Sequence, residues 1–304
     1  MNKKVCYISV IVPIYHGKKY IKPMIHQIEN CARELDIACT VELLLVNDAP
    51  EDSIQDCYFS DLIEINILNT DDNRGIQGAR IYGLEQAKGA YIVFLDQDDL
   101  IKPEYLMSQM DCIGEADACV CRAIHEGKQF YDSVKVFEQE ISKEAMLAKG
   151  CGIVSPGQVL LRKSAVSEVW KQNLLKHNGA DDWFLWLCMF GEGKRFVLNQ
   201  EVLFEHGVDG TNTSWNSERM MQSEENVYHI LRDAALFSND ELRILERTIG
   251  KVKSKHITIL DKFKKQFFIL DAWMNLENKG LTVEGYLKEN GYDHVAIYGY
   301  GYIG

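Results

Sequence analysis

Three carboxylates stand within four residues at Asp96-Gln97-Asp98-Asp99, directly after the apolar run YIVFL. Side chains alternate along an extended chain, so Asp96 and Asp98 point to the same side. Two carboxylates that close are stable as anions only beside a cation or hydrogen-bond donors. Oxygen ligands of this kind suit Mg²⁺ or Mn²⁺, which bind through one or two carboxylates plus substrate phosphates. The plainer alternative is a polar strand-to-helix turn in which Asp99 caps a helix starting near Pro103. Asp48 follows a second apolar run, VELLLVN. A carboxylate there can accept hydrogen bonds from a nucleobase or from ribose hydroxyls, or it can serve an Asx-turn.

These groups need elements that hold them level. CYISVIVPIY, VELLLVND, INILNT and YIVFLD read as strands, with helical spacing in YIKPMIHQIENCARELD and in IQGARIYGLEQAKG, where Gly89 is the expected helix end. Strands apolar on both faces and separated by helices predict an α/β fold with a mostly parallel sheet covered on both sides. Ligands of such sheets bind outside the carboxyl ends of the strands. Pro13-Ile14-Tyr15, Asn47-Asp48 and Asp96 to Asp99 fall at those ends. Further on, EADACVCRAI reads as a strand and SKEAMLAKG as a helix. From 217 to about 290 the pattern is helical and increasingly charged. The chain closes on DHVAIYGYGYIG, an apolar run leading into a G-x-G-x-x-G that stops where its helix would begin. A glycine-rich tail is one reading. The one adopted is the start of a Rossmann-like domain in a fragment of a longer protein, an expectation that a natural stop after Gly304 would sink.

The chain's 304 residues, 46% hydrophobic and 26% charged, suffice for a full-sized core. Net charge is 33 − 45 = −12, so the surface has no general attraction for nucleic acid or anionic lipid, and no nucleic-acid partner is expected. The nine cysteines are odd in number and lack paired spacing, which points to reduced thiols in a cytoplasm. No apolar stretch approaches the ~20 residues of a membrane span. The apolar run after the short basic N-terminus is read as the first strand, since no small-residue cleavage site follows it.

The segments SVIVPIYHGKKYIKPMIHQI, LLLVNDAPEDS and NRGIQGARIYGLEQAKGAYIVFLDQDD together resemble the N-terminal half of a family 2 glycosyltransferase with the GT-A fold. The resemblance covers roughly residues 7–215. It implies a GT-A domain over 1–215; the helical pattern makes 216–290 a C-terminal extension, and the glycine motif makes 291–304 the start of the Rossmann-like domain. It also implies that Pro13 and Tyr15 line the base pocket and that Asp48 holds base or ribose. Asp96 and Asp98, with Gln97 between them, would bind ribose and the divalent metal that bridges the donor diphosphate. Asn73, Gly75 and Arg80 match the segment that shapes the nucleotide site, though Arg80 on a helix can equally be a structural ion-pair partner. In GADDWFLWLCMF, Asp182 aligns with the family's general base, and Asp181 stands where the family has Glu. The alternative is that both are helix N-cap residues. Trp183 and Trp186 lie three apart on one helical face, as core residues or as platforms for a sugar. Ser155-Pro156-Gly157 occupies a position where relatives bind donor sugar or acceptor. His206 fits a phosphate or metal contact, with Asn212 and Ser214 downstream. The accompanying Arg of the family is Phe204 here, and Arg219 is one candidate to replace its charge.

The implied activity is inverting, metal-dependent transfer of a sugar from a nucleotide-diphosphate sugar, UDP-linked, with Mn²⁺ or Mg²⁺. The receiving group is a hydroxyl of a saccharide or lipid-linked acceptor. Surface polysaccharide synthesis on the cytoplasmic side of the membrane is the implied setting. KFKKQFFILDAW is a basic, aromatic helix for peripheral membrane contact or for packing on the catalytic domain. The charged C-terminal helices offer a route to a homodimer. A catalytically decayed nucleotide-sugar binding module remains as an alternative, as does a sugar nucleotidyltransferase. The latter would want a glycine-rich basic loop after the first strand, where VPIYHGKKYIKP has two lysines and one glycine.

Overall fold

The computed structural model describes residues 6–35, 39–55, 57–207 and 217–251, with Asp271, Met274, Gly280, Thr282, Gly285, Lys288, Glu289 and Gly291. The chain divides into two compact units, residues 1–252 and 253–304. In the first, strands β1 (Cys6–Ile14), β2 (Cys39–Asn47), β3 (Glu64–Asn69) and β4 (Tyr91–Phe94) alternate with helices α1 (Lys18–Glu34) and α2 (Gly75–Gln86). Then come β5 (Leu100–Ile101), α3 (Tyr105–Ile113), β6 (Ala118–His125), β7 (Lys128–Gln129), α4 (Val134–Glu140) and α5 (Lys143–Lys149). The unit continues through β8 (Val159–Arg162), α6 (Glu168–Gln172), α7 (Asp181–Gly191), β9 (Phe196–Glu205) and α8 (Ser217–Asp233).

One sheet runs β3-β2-β1-β4-β8-β6-β9-β5, with β7 hydrogen-bonded to β6. Its two faces explain the unbroken apolar runs. Ile8, Val10, Val12 and Leu43, Leu45 face a core shared with Ile21 and Ile28 of α1 and with Tyr105 and Leu106 of α3. Ile11, Leu44 and Val46 face the opposite core, with Ala79 and Leu84 of α2, Trp170 of α6, and Phe184 and Trp186 of α7. A strand covered on both sides has no polar face to alternate with.

The parallel part of the sheet is the β3-β2-β1-β4 run together with the β6–β9 pair. β8 runs antiparallel to both β4 and β6, and β5 antiparallel to β9, so the sheet is mixed in its second half. This return direction is set by pairing across the sheet, and no local pattern announces it. Another local difference lies at Gly89. Helix α2 ends earlier, at Gln86 with Ala87 as its C-cap, and Gly89 donates its N–H to the Ser9 hydroxyl of β1 at 2.8 Å.

The helical residues 217–251 belong to the first unit. Val227 and Leu231 of α8, and Leu242, Leu245 and Ile249 from the helical residues 239–251, are buried in the core that holds α7. Each such side chain contributes roughly 1.5–3 kcal/mol when fully buried, so the spacing of apolar residues decides the partner and the charges merely cover the outside. Of the second unit, the described residues include turns at Gly280 and Gly291, and the Gly285 N–H donates to the Thr282 hydroxyl at 2.9 Å. Residues 292–304 of the expected Rossmann-like start lie outside the described residues. So does KFKKQFFILDAW apart from Asp271, and with it the expected membrane contact and C-terminal dimer helix. Among the described residues, no helix is long and apolar enough to cross a membrane.

Candidate active site

The site forms where β4 ends and α7 begins. Asp96 follows β4, which is held against β1 by the Leu95 N–H bonded to the Ile11 carbonyl at 3.0 Å. The indole N–H of Trp170 donates to the Asp181 carbonyl at 2.8 Å and pins the start of α7. Between these points stands Arg80 of α2, 3% exposed, whose guanidinium bonds Asp96 through Nη2 and Asp181 through Nη1. Burial works against its charge, but Asp96, Asp181 and then Asp182 outweigh that and keep it protonated. Burial likewise raises the Asp181 carboxyl, with Arg80 pulling it back. Arg80 is therefore the cation that lets two of these carboxylates lie close together.

Asp182 is the third acid of the group. Its Oδ1 accepts the neighbouring Trp183 N–H at 2.6 Å. Burial first, then the charge of Asp181, push its carboxyl up to about 7, with Arg80 opposing. Neither aspartate is an N-cap: Ala180 holds that position, and both acids sit in the first turn of α7, where the helix dipole favours a negative charge.

Arg80, Asp96, Asp181, Asp182 and His206 line one cavity of ≈ 480 Å³. Trp183 is also in its wall, buried, with its indole N–H on the Met146 carbonyl at 3.1 Å, while Trp186 is a core residue. His206 follows β9, and its Nδ1 lies 2.9 Å from Nδ1 of His125, at the end of β6. Burial and His125 together lower the pKa of His206. His125 escaped the sequence reading because the two histidines become neighbours only through the parallel β6–β9 register, in which Ile124 faces Glu205. Phe204, in place of the family's Arg, is buried in the sheet opposite Ala123. Arg219 is exposed and is not among the cavity's lining residues. Asn212 and Ser214 lie outside the described residues.

The remaining acids of the DQDD stretch divide the work. Asp99 is buried and does not cap α3, whose N-cap Glu104 makes no side-chain cap bond. Instead it accepts the Ser155 hydroxyl at 2.6 Å and the Gly207 N–H at 2.9 Å, tying three loops together. A Cβ at Gly207 would lie 2.2 Å from the Asp98 carbonyl, so only glycine allows that approach. Gln97 reaches back to β1, accepting the Tyr15 N–H at 3.1 Å.

The other expected donor-site residues sit along the same edge but outside this cavity. Pro13 is buried in β1 opposite Val46, and Tyr15 is 53% exposed just beyond it. Asp48 is buried after β2 and accepts the Arg74 N–H at 2.7 Å; burial raises its pKa despite that bond. Asn73 accepts the Gly75 N–H at 3.1 Å. Gly75 opens α2 at φ +70°, and a Cβ there would meet Asn178 at 2.6 Å, which explains a glycine at this turn.

Among the described residues, no group of three Asp, Glu, His or Cys side chains converges as a closed metal site. Asp96 lines the cavity with one carboxylate oxygen on Arg80, and Asp98 is not among the lining residues; carboxylate oxygens are the donor type that suits a hard divalent cation sharing phosphate oxygens.

A mixed sheet sandwiched by helices, with its acids at the carboxyl ends of the strands, defines the GT-A fold. Solved structures share it. TarS 1-349 of S. aureus in complex with UDP superposes with a TM-score of 0.57 at 18% identity, covering 82% of this chain and 72% of that one. The mannosyltransferase PcManGT from Pyrobaculum calidifontis, in complex with GDP-Man and Mn²⁺, gives 0.55 at 14% identity, covering 88% and 80%. Residues 9–170, more than half of the chain, match the family model described as Glycosyl transferase family 2, and the chain belongs to that family. The minor teichoic acid biosynthesis protein GgaB of Bacillus subtilis (strain 168) is 38% identical over 96 residues, 31% of this chain and 10% of its own. The chain spans about two fifths of the length of the first curated relatives it matches, at 38%, 37% and 41%.

Proposed function

We propose that this chain is an inverting, metal-dependent glycosyltransferase. It moves a sugar from a UDP-sugar to a hydroxyl of a saccharide or lipid-linked acceptor, in surface polysaccharide synthesis at the cytoplasmic face of the membrane. The observation that carries this reading is the Arg80 bridge, which sets the carboxylates of Asp96 and Asp181 in one cavity with Asp182. Asp182, raised towards neutral, takes the proton from the acceptor hydroxyl. The hydroxyl oxygen then attacks the anomeric carbon, and the bond to the diphosphate breaks with its electron pair on the leaving oxygen. One displacement of this kind needs no enzyme nucleophile and inverts the carbon. Asp98 and Asp96 would hold the Mn²⁺ or Mg²⁺, which when bound supplies Lewis-acid stabilisation of the charge on the departing diphosphate. Pro13, Tyr15, Asp48, Asn73 and Gly75 would form the nucleotide end of the donor site, with His206 near the phosphates. The polysaccharide setting draws on what the name of GgaB states of that protein.

Calorimetry of UDP binding with and without Mn²⁺, on this chain and on Asp98→Ala, tests the donor site. The expected outcome is binding that requires the metal and is lost in the variant. Equal, metal-independent binding would reduce the DQDD stretch to a structural turn. Product formation separates the enzyme from a decayed binding module, which would bind UDP without turnover.

The role of Asp182 carries its own pH signature. A carboxyl whose pKa is raised stays protonated, and useless as a base, below that value. Activity is therefore expected to fall as pH drops through about 7, not through the ordinary carboxylate range near 4. Carboxyl ¹³C NMR, with Asp182→Asn to assign the resonance, checks this without any substrate. A midpoint near 4 would remove Asp182 as a base poised for neutral pH.

A further inference from the structure

The cavity contains a carboxylate that the chemistry above does not use. Glu224 on α8 is 6% exposed, lines the cavity, and its Oε2 is buried with no hydrogen-bond partner. Burial alone pushes its pKa up to about 7, and no cation among the described residues offsets it. A buried carboxyl without a partner destabilises a fold, and a hydrophobic residue at that place would be tolerated better. No described residue of the chain supplies that partner, which leaves the position open to a ligand in the cavity.

The surroundings indicate which partner. α8 is stitched to the loop that leads into Asp182. The Ala180 N–H donates to the Ser223 hydroxyl at 3.0 Å, Ser223 donates to the His177 carbonyl at 3.0 Å, and the Lys176 N–H donates to Asn226 at 3.1 Å. Gly179 is packed against Met220 so closely that a Cβ would meet its sulfur at 2.6 Å. Glu224 therefore comes from the helix that holds the entry to α7, whereas the expected nucleotide residues come from the ends of β1, β2 and β4. The side of the cavity that belongs to the base is the side that receives the acceptor.

We propose that Glu224 is the acceptor-recognition residue of this cavity, hydrogen-bonding a saccharide hydroxyl adjacent to the one that reacts. This rests on the transferase reading given above. Sugar hydroxyls are neutral donors, matched to a carboxyl that no cation among the described residues faces. They would satisfy Oε2 at the moment the acceptor is seated.

The test uses the full chain, saturated with UDP and Mg²⁺, in three forms: wild type, Glu224→Gln and Glu224→Leu. Retention on an array of immobilised mono- and oligosaccharides, UDP calorimetry and thermal melting are measured for each. Glu224→Leu is expected to lose roughly tenfold or more of the saccharide signal, the size of one hydrogen bond to a carboxylate. Its UDP affinity should be unchanged, while its melting temperature rises by about 2–4 °C as the unpartnered carboxyl is removed. Glu224→Gln should fall between the two. Equal saccharide retention in all three proteins would overturn the assignment, as would UDP binding with no saccharide retained by the wild type. A lower melting temperature in Glu224→Leu, with UDP binding lost as well, would make Glu224 a structural brace instead. If the wild type bound no UDP, the transferase reading would fall and this assignment with it.

Discussion

Replacing Asp182 by Asn is expected to lower turnover by roughly 10²–10⁴-fold, the usual contribution of a positioned general base. UDP affinity should stay where it was. The two side chains are nearly isosteric, and Asn can still accept the Trp183 N–H through its amide oxygen, so the first turn of α7 is preserved. What is lost is the capacity to take a proton. The neighbouring Asp181 is a poor substitute because Arg80 already holds its Oδ2. The change removes a half-buried acid whose ionisation is opposed by Asp181, so stability should hold or improve. Turnover within a few-fold of wild type, with donor binding intact, would assign the base to another group. The assay is release of UDP in the presence of acceptor, with calorimetry as the control on the donor site.

Replacing Arg80 by Met is expected to cost the most stability of any single change in the site. The guanidinium is buried and shared by Asp96 and Asp181, and breaking a buried ion pair by removing one partner typically costs about 3–5 kcal/mol. For a chain of this size that corresponds to a melting-temperature drop on the order of 10 °C. The cost arises because two carboxylates are left facing each other without a cation. Arg80→Met combined with Asp181→Asn should therefore recover part of the loss, and the double-mutant cycle measures how much. Arg80→Lys should be intermediate, since a single ammonium cannot fork to two carboxylates as a guanidinium does. A melting temperature unchanged in Arg80→Met would show the bridge to be energetically idle, and the site would then need another account of how its acids are held.

Several of these features were legible from the chain alone, because they depend on neighbours a few residues apart. The strand at 91–94 ends in acids because an apolar run buried on both faces must terminate in polar residues where it leaves the sheet. VELLLVND ends at Asp48 for the same reason. The helix over WFLWLCMF and the placement of Asp181 and Asp182 at its start are equally local. Long-range facts were not legible. Arg80 could be read as a nucleotide residue or as an ion-pair partner, and only the packing of α2 on β1 and β2 brings it to both Asp96 and Asp181. Asp99 looked like a helix cap and is a tie between Ser155 and Gly207, 56 and 108 residues away along the chain. His125 and Glu224 carry no spacing signal at all. Each becomes a site residue through the β6–β9 register or the docking of α8, and these depend on side-chain packing across the sheet, which no periodicity within one segment encodes. The sequence alone therefore determined which segments are strands and helices and that acids stand at the strand ends. Tertiary structure decided which acids share a cation, which one is left to titrate near neutral pH, and which carboxyl remains unpaired, because charge energetics depend on distance in space and on exclusion of water.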